Sequence, residues 1–126
     1  MKIVISPAKS LDFETKLPTK KFSMPDFLDE SKAINDSLKK RSPSDLKSLM
    51  SISDKLADLN WNRNNNFKTP FNPENARPSI FTFDGDVYSG IDAFTLNGEQ
   101  ILKSQDSLRI LSGLYGVLKP LDLIQA

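Results

Sequence analysis

Three short segments gather most of the groups in this sequence that could do chemistry. Ser6-Pro7-Ala8-Lys9-Ser10 sets a cation between two hydroxyls. Lysine there could hold an anion such as a phosphate, or stand as a solvated loop charge. Asp84-Gly85-Asp86-Val87-Tyr88 flanks a glycine with carboxylates. Such a pair could grip a hard cation or move a proton, or could simply make a turn and cap a helix. Ser112-Gly113-Leu114-Tyr115-Gly116 joins two glycines, a hydroxyl and an aromatic with a polar tip. Glycine bares backbone N–H groups and lets a backbone approach a ligand closely. The same Gly-x-x-Gly spacing serves a nucleic-acid clamp in some folds and a tight strand exit in many more.

Composition narrows the chemistry. The chain has 126 residues, one domain's worth, and it contains neither cysteine nor histidine. Disulfides, thiolate nucleophiles, histidine-based triads and the common zinc sites are therefore excluded within it. No metal or other cofactor is assigned. The net charge of +1 is not that of a polycation, although residues 1–66 lean basic and residues 67–126 lean acidic. The opening Met1-Lys2-Ile3-Val4-Ile5 is too short for a leader, and no segment is long and apolar enough for a membrane span. The expected compartment is the cytoplasm.

The elements that must position these segments follow from the apolar pattern. Lys2–Ser6 reads as a buried strand stopped by Pro7. Phe27, Ile34 and Leu38 mark a helix from Pro25 to about Arg41. Ser42-Pro43-Ser44-Asp45 and Ser51-Ile52-Ser53-Asp54 each carry a helix-start signal. Residues 62–76, rich in Asn and Pro, read as irregular. Ser79–Phe83 reads as a second strand, Val87–Phe94 as a short helix, Asn97-Gly98 as a turn, Glu99–Ser107 as a helix and Leu108–Leu111 as a third strand. This order implies an α/β or α+β class, with a small, mostly parallel sheet flanked by helices. If the three strands run parallel, all three segments meet at one edge of the sheet, where open α/β sheets bind ligands. The candidate cleft is then Ser6, Ser10, Asp84, Asp86, Tyr88, Ser112, Gly113, Tyr115 and Gly116. Lys9, Lys55, Arg109 and Lys119 are candidate phosphate contacts on DNA. The apolar run from Leu121 to Ala126 is expected to belong to a longer protein. It should expose apolar surface near Leu118, Leu121, Leu123 and Ile124.

The chain resembles the YaaA family of bacterial peroxide stress proteins, over its whole length. The resemblance rests on four ordered blocks: Ile5–Asp12, Leu49–Ala57, Phe83–Gly90 and Leu111–Asp122. It implies that the chain corresponds to the N-terminal half of a protein about twice as long. It further implies an unusual α/β fold with a basic cleft, DNA binding, and protection from hydrogen peroxide by limiting free intracellular iron. Gly113 and Gly116 are two residues apart, which is not the Gly-hydrophobic-Gly spacing of a helix-hairpin-helix. The rival expectation is an enzyme acting on a nucleotide or nucleobase-type substrate at the same three loops. In that case Asp84 or Asp86 would serve as acid, base or metal ligand and Lys9 would hold an anionic substrate. A third expectation is that the loops only dock the rest of a longer chain.

Overall fold

The computed structural model describes residues 1–126. The elements are β1 (Ile3–Ile5), β2 (Ser10–Leu11), α1 (Leu28–Lys39), α2 (Pro43–Met50), α3 (Asp54–Asn66) and β3 (Arg77–Pro78). They continue as α4 (Ser79–Thr82), β4 (Phe83–Asp84), α5 (Asp86–Ile91), a 3-10 turn at Ala93–Thr95, α6 (Gly98–Ser107), β5 (Leu108–Ser112), β6 (Gly116–Leu118) and β7 (Leu123–Ile124). The class is α/β, as expected. None of the helices is long and apolar enough to cross a membrane.

The helix starts follow their local chemistry. Ser42 accepts a hydrogen bond from Asp45 N–H while the Asp45 carboxylate accepts one from Ser42 N–H, and Pro43 occupies the first turn of α2. Ser53 caps α3 by accepting from Leu56 N–H. Asn97 proves to be the cap of α6, exchanging bonds with Gln100, so the expected Asn97-Gly98 turn is the helix start itself. Helix α3 runs on to Asn66, into the segment expected to be irregular. Beyond it, Phe67 and Phe71 are buried in the core.

The sheet pattern corrects the sequence reading. Only β1 and β5 pair in parallel, with Ile3 opposite Leu108 and Ile5 opposite Ile110. β6 joins β5 antiparallel to complete a three-stranded sheet in the order β1-β5-β6. β2 pairs antiparallel with β4, and β3 antiparallel with β7. The sheets are therefore mixed rather than mostly parallel.

The expected strand at Ser79–Phe83 is one buried helical turn followed by the two-residue β4. A short apolar run does not by its periodicity distinguish a buried strand from a buried helical turn. Here tertiary bonds decide: Ser79 N–H donates to Asp122 O, Ile80 N–H to Pro120 O, and Thr82 Oγ1 to Pro78 O.

A second correction concerns the segment after β6. Leu118, Leu121, Leu123 and Ile124 are buried, not exposed. The β3–β7 ladder folds this segment into the main core beside Ile80, Phe81 and Tyr115.

Candidate functional site

The first two sequence segments do converge, by a route other than parallel strands. Leaving β1, the chain turns through Pro7 and Ala8 and returns as β2, which pairs with β4. Ser10 stands opposite Asp84, and Leu11 opposite Phe83. The Tyr88 hydroxyl donates a 2.7 Å hydrogen bond to the Ser6 carbonyl. Gly85 packs against the same turn, where a Cβ added to it would lie 3.4 Å from Ala8 Cβ. The ring of Tyr88 is buried against Phe83, and burial pushes its hydroxyl up to about 12. Tyr88 is therefore a neutral hydrogen-bond donor at ordinary pH. Ser6, Lys9, Ser10, Asp84 and Asp86 remain exposed around this junction.

Beside the junction lies a cavity of about 160 Å³. Asp12, Asp84, Ser89 and Asp92 supply its polar groups, and Phe81, Phe83, Tyr88 and Phe94 its aromatic walls. Asp12 is the most constrained of the carboxylates. Hydrogen bonding by Thr15, through its side chain and its N–H, and by the Glu14 N–H holds it down at about 2. Its own N–H donates to Thr82 O at 2.7 Å. Buried Arg77 stands behind it, with Nη2 4.0 Å from Asp12 Oδ1. The guanidinium donates to Phe81 O through Nε and Nη2, both at 3.3 Å, and lies over the Phe94 ring at 5.9 Å. Burial lowers the Arg77 pKa while Asp12 opposes the shift. No group of three or more acidic, histidine or cysteine side chains is gathered closely enough to hold a metal ion.

The third segment shares the strand end with the first, because β1 and β5 run parallel. Its polar groups are nevertheless committed to the interior. Tyr115 is buried, packs its ring on Phe67 and Phe71, and exchanges hydrogen bonds with the Gln125 backbone. Ser112 Oγ accepts from Tyr115 N–H at 3.1 Å, and Leu114 O accepts from Ser31 Oγ at 2.8 Å. Gly116 adopts a φ of 72° and approaches the Phe27 ring so closely that a Cβ would stand 3.1 Å from it. Gly113 has open space around it, and with Leu114 it borders a groove against α1 and α2.

The four basic candidates divide two and two. The side chains of Lys9 and Lys55 are exposed and take part in no hydrogen bond or ion pair within the chain. Arg109 directs Nη1 at the carbonyls of Gln105 and Leu108, both at 2.7 Å, at the end of α6. Lys119 reaches Asp26 at 3.2 Å and Asp122 at 3.9 Å. Asp12, Arg77, Ser89 and Asp92 were missed by sequence reasoning. Asp12 closes the first of the four motif blocks, two residues after Ser10, and an arginine set in the buried run Ala76–Phe83 was the other available signal.

The family model described as peroxide stress protein YaaA matches residues 1–126. A UPF0246 protein of Flavobacterium johnsoniae is 63% identical across the whole chain, which covers 50% of that relative. A UPF0246 protein of Flavobacterium psychrophilum is 58% identical with the same coverage, and one of Alteromonas mediterranea is 52% identical with 49% covered. The chain thus spans about half the length of the curated relatives it matches. It belongs to the peroxide stress protein YaaA family.

Proposed function

We propose that this member of the peroxide stress protein YaaA family acts, in its full-length form, in the cytoplasm, where it binds DNA and limits free iron under hydrogen peroxide stress. The observation that carries DNA contact by this half is the state of its cations. Lys9 and Lys55 are exposed and uncommitted, as phosphate contacts must be. Lys119 and Arg109 already have partners and contribute less. Binding of this kind draws on counterion release and weakens steeply with salt. Full-length protein carrying Lys9→Ala or Lys55→Ala should bind every DNA sequence more weakly, with the salt slope reduced by about one unit for each. Unchanged affinity in both variants overturns the reading.

A second reading is favoured by the cavity beside the Ser10–Asp84 ladder. Its aromatic walls and carboxylates suit a flat, hydrogen-bonding molecule the size of a single nucleobase. In that reading the chain catalyses a reaction on a nucleotide or nucleobase-type substrate. Asp84 is then the exposed proton carrier and Lys9 the anion contact. Asp84→Asn should abolish peroxide protection while fold and DNA affinity persist, because an amide cannot exchange the proton. Full protection by that variant removes the enzymatic reading.

A further inference from the structure

We propose that the outer face of the β1-β5-β6 sheet, which carries Val4, Leu111 and Val117, seats the other half of the full-length family chain. Strand alternation places these residues together. Leu111 and Val117 are register partners, and Val4 lies on the same face as Arg109, two residues before Leu111 on β5. On the opposite face, the register partners Ile110 and Leu118 are fully buried in the core. The outer face has no such cover: Val4 is 55% exposed, Leu111 52% and Val117 40%. Arg109, the charged residue among them, bends its guanidinium to the end of α6, leaving its stem on the sheet.

A contiguous apolar stripe left open on a sheet face ordinarily marks a surface that another element or partner covers. β1 is also an edge strand, with one side of its backbone open to further pairing. The occupant is indicated by length, since the relatives contain about as much chain again as the part matched here. A covering layer from that half would bury the apolar stripe and complete a sandwich of helix, sheet and helix or strand.

The chain has no cysteine, so single thiols report cleanly on this face. The test molecule joins this chain to the unmatched half of the Flavobacterium johnsoniae relative, in that relative's order, with any cysteines of that half replaced by serine. Leu111→Cys and Val117→Cys are labelled with a thiol reagent in native buffer and in denaturant. Labelling should be slower in the native protein by at least about tenfold at both positions, in a monomer and independent of protein concentration. Weaker protection at either position overturns the proposal. Protection that grows with concentration in a dimer overturns it in favour of a second copy. Equal protection in the monomeric 126-residue chain alone shows that the face covers itself, and overturns it as well.

Discussion

The Tyr88 hydroxyl donates a 2.7 Å hydrogen bond to the Ser6 carbonyl, joining helix α5 to the loop that leaves β1 across 82 positions of sequence. This bond and the Ser10–Asp84 pairing hold two chemically equipped segments together without any parallel strand between them. Tyr88→Phe removes the donor and leaves an exposed carbonyl that water can satisfy. The expected loss is about 1 kcal/mol of stability in a urea titration, with the fold retained. A loss several times larger would mean that the bond organises the whole loop.

The two tyrosines of the chain are both buried, and both are pushed up to about 12. Ionising them in the folded protein is disfavoured, so their contribution to stability is present below about pH 10 and is lost as pH rises towards 12. Ultraviolet absorbance should show almost no tyrosinate at pH 10 in native protein and about half ionisation there in urea, where the ordinary value of 10.0 applies. Half-ionisation of either tyrosine near pH 10 without unfolding contradicts the burial of these rings.

Asp12 behaves in the opposite sense at acid pH. Its folded value of about 2 lies below the ordinary 3.8, so its stabilisation is full above about pH 4 and disappears as pH falls towards 2. Asp12→Ala should cost about 1–2 kcal/mol at pH 7, after allowance for partial exposure, and almost nothing at pH 2. Denaturant midpoints measured at the two pH values check this. A pH-independent cost would indicate packing rather than charge.

Lys119 is expected to matter more for stability than for any ligand. It faces Asp26 and the fully buried Asp122, whose carboxylate also accepts from Ser23 Oγ and Lys119 N–H. Burial raises the Asp122 pKa, so its charge weakens the fold as pH rises through that value. Lys119→Ala removes the nearest compensating cation and should destabilise by about 1–3 kcal/mol at pH 8, less at pH 4. Thermal melts at both pH values read the difference, and an equal shift at the two would exclude the ion pair as its cause.

Gly116→Ala tests the turn between β5 and β6. The positive φ disfavours any side chain, and the Phe27 ring blocks the space for one. A loss of about 1–3 kcal/mol is expected, whereas Gly113→Ala, with open space around it, should cost under about 1 kcal/mol. Equal effects at the two glycines would refute the distinction.

The sequence by itself determined most of the helices and the chemically equipped segments. Capping at Ser42 and Ser53 is encoded within a few residues, so local pattern sufficed to read it, whereas the same signal at Asn97 was read as a turn. The four motif blocks are likewise a property of the sequence, and the family followed from them. Strand partners were not legible. Leu123 and Ile124 look like an exposed tail until β3 pairs with them, and Ser79–Thr82 looks like a strand until Asp122 and Pro120 accept its N–H groups. The third segment was read as a ligand loop because its residue types permit one, but Tyr115 turned inward to Phe67, Phe71 and Gln125. Whether Lys119 is a free cation and whether Arg77 is buried beside Asp12 depend on which distant groups the fold brings within a few ångströms. Capping energies act over one helical turn, whereas charge pairing and burial act between residues that only tertiary structure makes neighbours.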